Sequence, residues 1–329
     1  MTIKKTSFFN QLLINLIILI SYLLNILDFK IKNIFILLNI LVISFILMVY
    51  VKPVLDERFE ISKKSDTPVL SIVDTLPAKI ETLPINTIPE KKIAYTPLYT
   101  IAAKSFLIYD LKNNQEIESL NKIETFPPAS LVKMLSIMYF IDKIELERKY
   151  DVFPECNSVE GQKVGYKKGE KVSGKDLINS SLVFSAGDSI CNLYKITNSN
   201  LDDFNLFARN LGMNNSNFTN FIGLDYPGNY TTVEDLLVMA KKFILNDLFN
   251  EIVVQKSYKM DNGKVVYNTN KMLFENKFTV GIKTGTTFGA KENLIYRYKN
   301  EEEDRDILII ILNSNQRYQD IKNILNSIN

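Results

Sequence analysis

Histidine is missing from all 329 residues. Without imidazole the chain has no Ser-His-Asp triad, no Cys-His nucleophile pair and no metal site that depends on a histidine ligand. Cysteine occurs twice, as Cys156 and Cys191. That is too few for a four-cysteine zinc ribbon, an iron–sulfur cradle or a disulfide framework. The two cysteines read as unpaired buried thiols, with pairing left open if they meet an oxidising compartment. An excess of one charge is missing as well. Lys+Arg 39 against Asp+Glu 37 leaves +2, so nothing points to a nucleic-acid partner. Chemistry therefore falls to Ser, Thr, Lys, Tyr, Asp or Glu, with no metal and no cofactor called for.

What the chain does have is apolar sequence concentrated at one end. Ile34 to Val51 is broken only by Asn39 and Ser44. As a helix it reaches roughly 27 Å, enough for a hydrocarbon core. Phe8 to Leu27 carries Asn10, Gln11, Asn15 and Asn25, and is a weaker span that either crosses, lies in the interface or is cleaved. Residues 1–52 thus read as a membrane anchor of one or two helices, with the membrane contact through residues 8–51. Charge counting leaves two topologies. If both runs span, Lys4, Lys5, Lys52 and Arg58 oppose Lys30 and Lys32, which places the large C-terminal part in the cytoplasm. If only the second spans, that part is outside.

Residues 53–97 change character. Pro53, Pro68, Pro77, Pro84, Pro89 and Pro97 punctuate short apolar triplets, the mark of an extended stalk. Residues 98–329 read as a globular domain. Ile101 to Tyr109, the turn Asp110 to Asn114 and Gln115 to Ser119 form an expected hairpin. Leu131 to Ile144 and Leu177 to Ile196 are apolar at helical spacing, the second with Ser173 and Asp176 near its start. Thr232 with Asp235 three residues on opens a helix through Ile244. Phe278 to Lys283, Asn293 to Tyr298 and Asp306 to Leu312 read as strands, and Arg317 to Ile328 as a closing helix. Strands at both ends with helices between predict an α+β domain. Its antiparallel sheet joins N- and C-terminal strands around an inserted helical subdomain.

Three short segments carry candidate chemistry. In Pro128-Ala-Ser130-Leu-Val-Lys133 the hydroxyl and the amine are three apart and share a helix face. A serine without histidine needs another base, and a lysine kept neutral by desolvation or a second cation can serve. Gly281-Ile-Lys283-Thr284-Gly285-Thr286-Thr287 ends an expected strand, where it offers an ammonium, hydroxyls and close backbone approach at the glycine. Ser185-Ala186-Gly187-Asp188 adds a second hydroxyl able to relay a proton. Each segment alone is a weak signal.

In this chain order the three segments resemble the penicillin-recognising serine acyl-transferases, and among them the low-molecular-mass serine D-alanyl-D-alanine carboxypeptidases. Leu211-Gly-Met-Asn-Asn-Ser-Asn-Phe218, Gly223-Leu-Asp225, Tyr230-Thr-Thr232 and Asn268-Thr-Asn270 extend the likeness over about residues 99 to 329. The resemblance implies a β-lactamase/transpeptidase-like fold. It implies Ser130 as nucleophile, Lys133 as its base and Ser185 as proton relay. Lys283, Thr284, Gly285, Thr286 and Arg317 become substrate-binding residues, with backbone N–H groups of Ser130 and Thr286 as the oxyanion hole. The implied partners are a peptidoglycan stem peptide and, as covalent inhibitors, β-lactam antibiotics. Such a substrate lies outside the membrane, which selects the extracytoplasmic topology over the lysine count.

One position departs. Gly187 stands where the family usually carries an asparagine whose carboxamide bonds the substrate amide and a lysine. Loss of such a bond costs roughly 1.5–3 kcal/mol, and Asp188 or Asn192 are the expected substitutes. The family's second domain after the catalytic one is not expected either. The alternatives are a DD-endopeptidase or β-lactamase of the same fold, or, because of Gly187, a non-catalytic wall-binding scaffold.

Overall fold

A computed structural model of the chain describes residues 100–328. The expected anchor (1–52) and stalk (53–97) lie outside the described residues. Among the described residues no helix is long and apolar enough to cross a membrane.

The chain enters through β1 (Ser105–Asp110) and returns as β2 (Gln115–Leu120). Ala129–Leu131 makes one 3-10 turn that runs into α1 (Val132–Phe140). The short antiparallel pair β3 (Lys149–Asp151) and β4 (Lys171–Ser173) brackets a loop with a further 3-10 turn at Pro154–Ser158. Then come α2 (Gly174–Val183), α3 (Gly187–Ile196), α4 (Leu201–Leu211), α5 (Val233–Phe243) and α6 (Asp247–Val253). A small hairpin of β5 (Ser257–Lys259) and β6 (Val265–Tyr267) and the single turn α7 (Met272–Glu275) follow. The chain closes through β7 (Thr279–Thr287), β8 (Lys291–Asn300), β9 (Arg305–Ser314) and α8 (Arg317–Ser327).

The main sheet has the order β2-β1-β9-β8-β7. Every neighbouring pair in it is antiparallel. The first and last strands of the domain therefore meet in mid-sheet, and the helices between β2 and β7 form the inserted subdomain that was expected. Ile307 to Leu312 reads as an unbroken apolar run because both faces of β9 are covered. Leu308, Ile310 and Leu312 pack with the subdomain, together with Leu107 and Ile295. Ile307, Ile309 and Ile311 face the other way, onto Ile321, Ile324 and Ile328 at the C-terminal end of the domain. This is strand alternation with a hydrophobic layer on each side.

Two expectations are corrected. Leu177 to Ile196 is not one helix. It is split between α2 and α3 at Phe184-Ser185-Ala186, where Ser185 takes φ +66°. A residue in the left-handed region ends a helix, and the N–H groups of Phe184 and Ala186 both donate to Ser180 O to close it. Nor are the cysteines free. Cys156, on the 3-10 turn, faces Cys191 of α3 with Cα atoms 5.4 Å apart, and the two form a disulfide. The bridge spans 35 residues of sequence and ties the β3–β4 loop to α3.

Replacing both cysteines (Cys156→Ala with Cys191→Ala) is expected to lower stability by about 2–4 kcal/mol through loop entropy regained in the unfolded chain. The change in denaturation midpoint at constant m-value measures it, and an unchanged midpoint contradicts it.

Candidate active site

Ser130 owes its position to three segments that press on its turn. Ala129 takes φ +48° and is fully buried. Gly223 comes so close that a Cβ there would lie 1.9 Å from Ala129 O, which only glycine permits. Gly285 of β7 also abuts the turn, and a Cβ there would sit 2.9 Å from Ala129 Cβ. From β8, Asn293 donates through Nδ2 to Pro127 O (2.9 Å) and Pro128 O (3.2 Å), while its Oδ1 accepts from Asn313 N. Asn293 thus hangs the turn that carries Ser130 from the sheet. Sequence reasoning missed it, and a lone asparagine in a strand offers no signal.

The expected dyad forms. Lys133 Nζ lies 2.6 Å from Ser130 Oγ. Lys133 is only 3% exposed. Burial pushes its amine down to about 7, against an opposing pull from the nearby Asp188 carboxylate. Near neutral pH a large fraction of Lys133 is therefore free base and able to take the serine proton. Lys283, 1% exposed, is held well below its ordinary value by burial first and then by the charges of Lys133 and Arg317. Its Nζ donates to Thr284 O.

Ser130, Lys133, Ser185, Thr284, Thr286 and Arg317 line one cleft of about 620 Å³. The strained turn between α2 and α3 is what turns Ser185 into it. Lys283 does not line the cleft. It sits behind the wall, its buried amine donating to the carbonyl of Thr284, which does line it. Gly285 contributes backbone beside Ser130 rather than lining surface. Thr284 Oγ1 bonds Thr269 Oγ1 at 2.6 Å, which brings the Asn268-Thr-Asn270 segment to the same wall. Asp225 accepts from Thr287 Oγ1 and Gly289 N, tying the Gly223-Leu-Asp225 segment to the β7–β8 turn. Arg317, at the start of α8, donates to Gly285 O (2.8 Å) and Thr286 Oγ1 (2.7 Å), and its buried Nε has no partner among the described residues. A guanidinium held in place at the cleft wall suits a ligand carboxylate.

The two expected substitutes for an asparagine at position 187 are engaged elsewhere. Asp188 accepts from Val164 N (3.0 Å) and Gly165 N (2.8 Å). Asn192 accepts from Phe153 N and donates to Asp188 O. Neither lines the cleft; both hold the β3–β4 loop. Among the described residues no group of acidic or thiol side chains is arranged to hold a metal ion.

A serine–lysine pair set between an antiparallel sheet and a helical subdomain defines the class of penicillin-recognising serine acyl-transferases. The D-alanyl-D-alanine carboxypeptidase family, peptidase S11, matches residues 90–316, and the chain belongs to it. It is similar to D-alanyl-D-alanine carboxypeptidase DacC of Escherichia coli (28% identical, covering 60% of this chain and 53% of that one). It is also similar to DacB2 of Mycobacterium tuberculosis (26% identical, 59% of this chain, 69% of that one). The chain thus spans about half the length of the E. coli relative. Among solved structures, penicillin-binding protein D2 of Listeria monocytogenes, in its ampicillin-bound form, shares the fold. The TM-score is 0.63 at 22% identity, covering 70% of this chain and 98% of that one.

If Lys133 is the base, acylation of Ser130 rises with pH as the amine loses its proton, with a midpoint near 7. Lys133→Arg, which keeps the charge but cannot deprotonate, is expected to lower the rate by at least about 10³-fold at all pH values. Stopped-flow acylation by a β-lactam measures both. A flat profile, or an active arginine variant, contradicts the assignment.

Proposed function

We propose that this chain is a serine DD-carboxypeptidase that removes the terminal D-alanine from peptidoglycan stem peptides. The observation that carries the proposal is the 2.6 Å Ser130–Lys133 contact inside a cleft that also presents Ser185 and Arg317. Ser130 Oγ attacks the carbonyl carbon of the penultimate D-alanine while Lys133 takes the hydroxyl proton. The backbone N–H groups of Ser130 and Thr286 stabilise the oxyanion. As the C–N bond breaks, Ser185 gives its hydroxyl proton to the departing D-alanine amine and is reprotonated by the proton Lys133 had taken from Ser130. Water then cleaves the ester and restores the serine. Arg317 and Thr284 draw the substrate's terminal carboxylate, with Lys283 behind the wall holding the Thr284 carbonyl. No step requires a metal or cofactor. The formed dyad favours this enzyme reading over a non-catalytic scaffold despite Gly187.

The same proposal places the catalytic domain outside the cell membrane, anchored through residues 8–51 and held off the bilayer by residues 53–97. The disulfide supports that side, because structural disulfides belong to oxidising compartments.

Mass spectrometry of the full chain after incubation with benzylpenicillin is expected to find one adduct, on Ser130, absent in Ser130→Ala. A peptide ending in D-alanyl-D-alanine is expected to lose one D-alanine. A folded chain that forms no adduct, or forms it elsewhere, contradicts the mechanism.

A further inference from the structure

Position 187 has no side chain, and the space a side chain would take is occupied. A Cβ on Gly187 would meet Ile222 Cγ2 at 3.3 Å, Val159 Cγ2 at 3.4 Å and Glu160 O at 3.5 Å. The β3–β4 loop fills this place, and it is fastened to α3 along its length. Gly187 N donates to Gln162 O at 2.7 Å. Asp188 takes the N–H groups of Val164 and Gly165, Asn192 takes that of Phe153, and the disulfide adds a covalent tie at Cys191. Loop and helix are therefore tied together, and the tie begins at Gly187, two residues after Ser185.

Gln162 is the residue this fastening delivers to the cleft. It lines the same cavity as Ser130, Lys133 and Ser185. Its backbone carbonyl is used on Gly187, while its side-chain carboxamide makes no hydrogen bond to a described residue. The other carboxamide lining the cleft is spent. Asn268 donates to Val253 O and Gln255 O and accepts from Asn270 N. A peptide laid against Ser130 brings amide groups that need both a donor and an acceptor once water is displaced, and a carboxamide supplies both.

We infer that Gln162, fastened to α3 by the loop it sits on, is the substrate-binding residue that pairs with the peptide amide on the acyl side of the bond cut at Ser130. The inference rests on the acyl-transfer reading above. It makes Asp188, Asn192 and the disulfide positioning elements for Gln162 rather than substitutes for the missing side chain at 187.

The test compares two acylating probes on the full chain. Benzylpenicillin carries an exocyclic amide beside its reactive ring, whereas 6-aminopenicillanic acid carries a free amine there. Gln162→Ala keeps the backbone bond to Gly187. It is expected to slow acylation by benzylpenicillin about tenfold, the effect of one lost hydrogen bond, and to leave 6-aminopenicillanic acid within about twofold. Gln162→Asn, which keeps a shorter carboxamide, is expected to fall between. Equal losses with both probes would show a general loosening of the loop and overturn the inference, as would no loss with either. If the unsubstituted chain is not acylated at Ser130 by either probe, the acyl-transfer reading fails first and this one with it.

Discussion

A lysine amine enclosed beside a serine hydroxyl cannot keep its proton cheaply. Water would solvate the ammonium, but Lys133 is almost wholly shut away from it, and a second buried lysine, Lys283, stands nearby. Burial alone pushes the amine towards neutrality. The Asp188 carboxylate pulls the other way, so the outcome is a group near balance at neutral pH rather than a fully discharged one. That balance is what a general base needs, since a far weaker base would not take the proton and a stronger one would already hold it. The rest of the domain can be understood as the apparatus that keeps this pair dry and in register.

The apparatus has two halves. The sheet contributes β7 and β8, whose Gly285 and Asn293 grip the turn before α1. The helical subdomain contributes Gly223 beside the same turn and Ser185 from the break between α2 and α3. Three residues that shape the site, Ala129, Ser185 and Gly223, have positive φ. Strained positions of this kind persist only where surrounding packing over-determines them. Here that packing is the continuous layer joining Leu131, Leu135, Ile222 and the inner face of β9. The geometry of the Ser130 turn and core packing are thus one problem in this fold, because that turn lies where the two halves meet.

Much of this was legible in the residues. Ser130 and Lys133 share a face because a three-residue step on a helix allows little else, and the Thr232 cap appears where its spacing to Asp235 placed it. The strands near the C-terminus are found because their apolar runs are bounded by turn residues. What was not legible has physical reasons. Apolar spacing runs unbroken through Phe184 and Ala186, so a single residue's positive φ at Ser185 leaves no trace in the pattern. Pairing of Cys156 with Cys191 depends on a loop folding back, which their separation in sequence does not reveal. Gln162 lies in a loop without periodicity, and only its fastening to Gly187 shows where it points. By contrast α4 was overlooked although Asn200, Asp203 and Gly212 mark its ends by ordinary capping.

The central claim is that Lys133 is a near-neutral amine, and it is tested most directly by titrating that side chain. Lysine labelled with 13C at the ε-carbon, incorporated into the full chain and assigned by comparison with Lys133→Arg, reports the protonation of each amine by NMR. A resonance for Lys133 that shifts with a midpoint near 7 is the predicted result. A midpoint at the ordinary 10.5 would contradict the account, because the serine would then sit beside a permanent cation with no base to activate it.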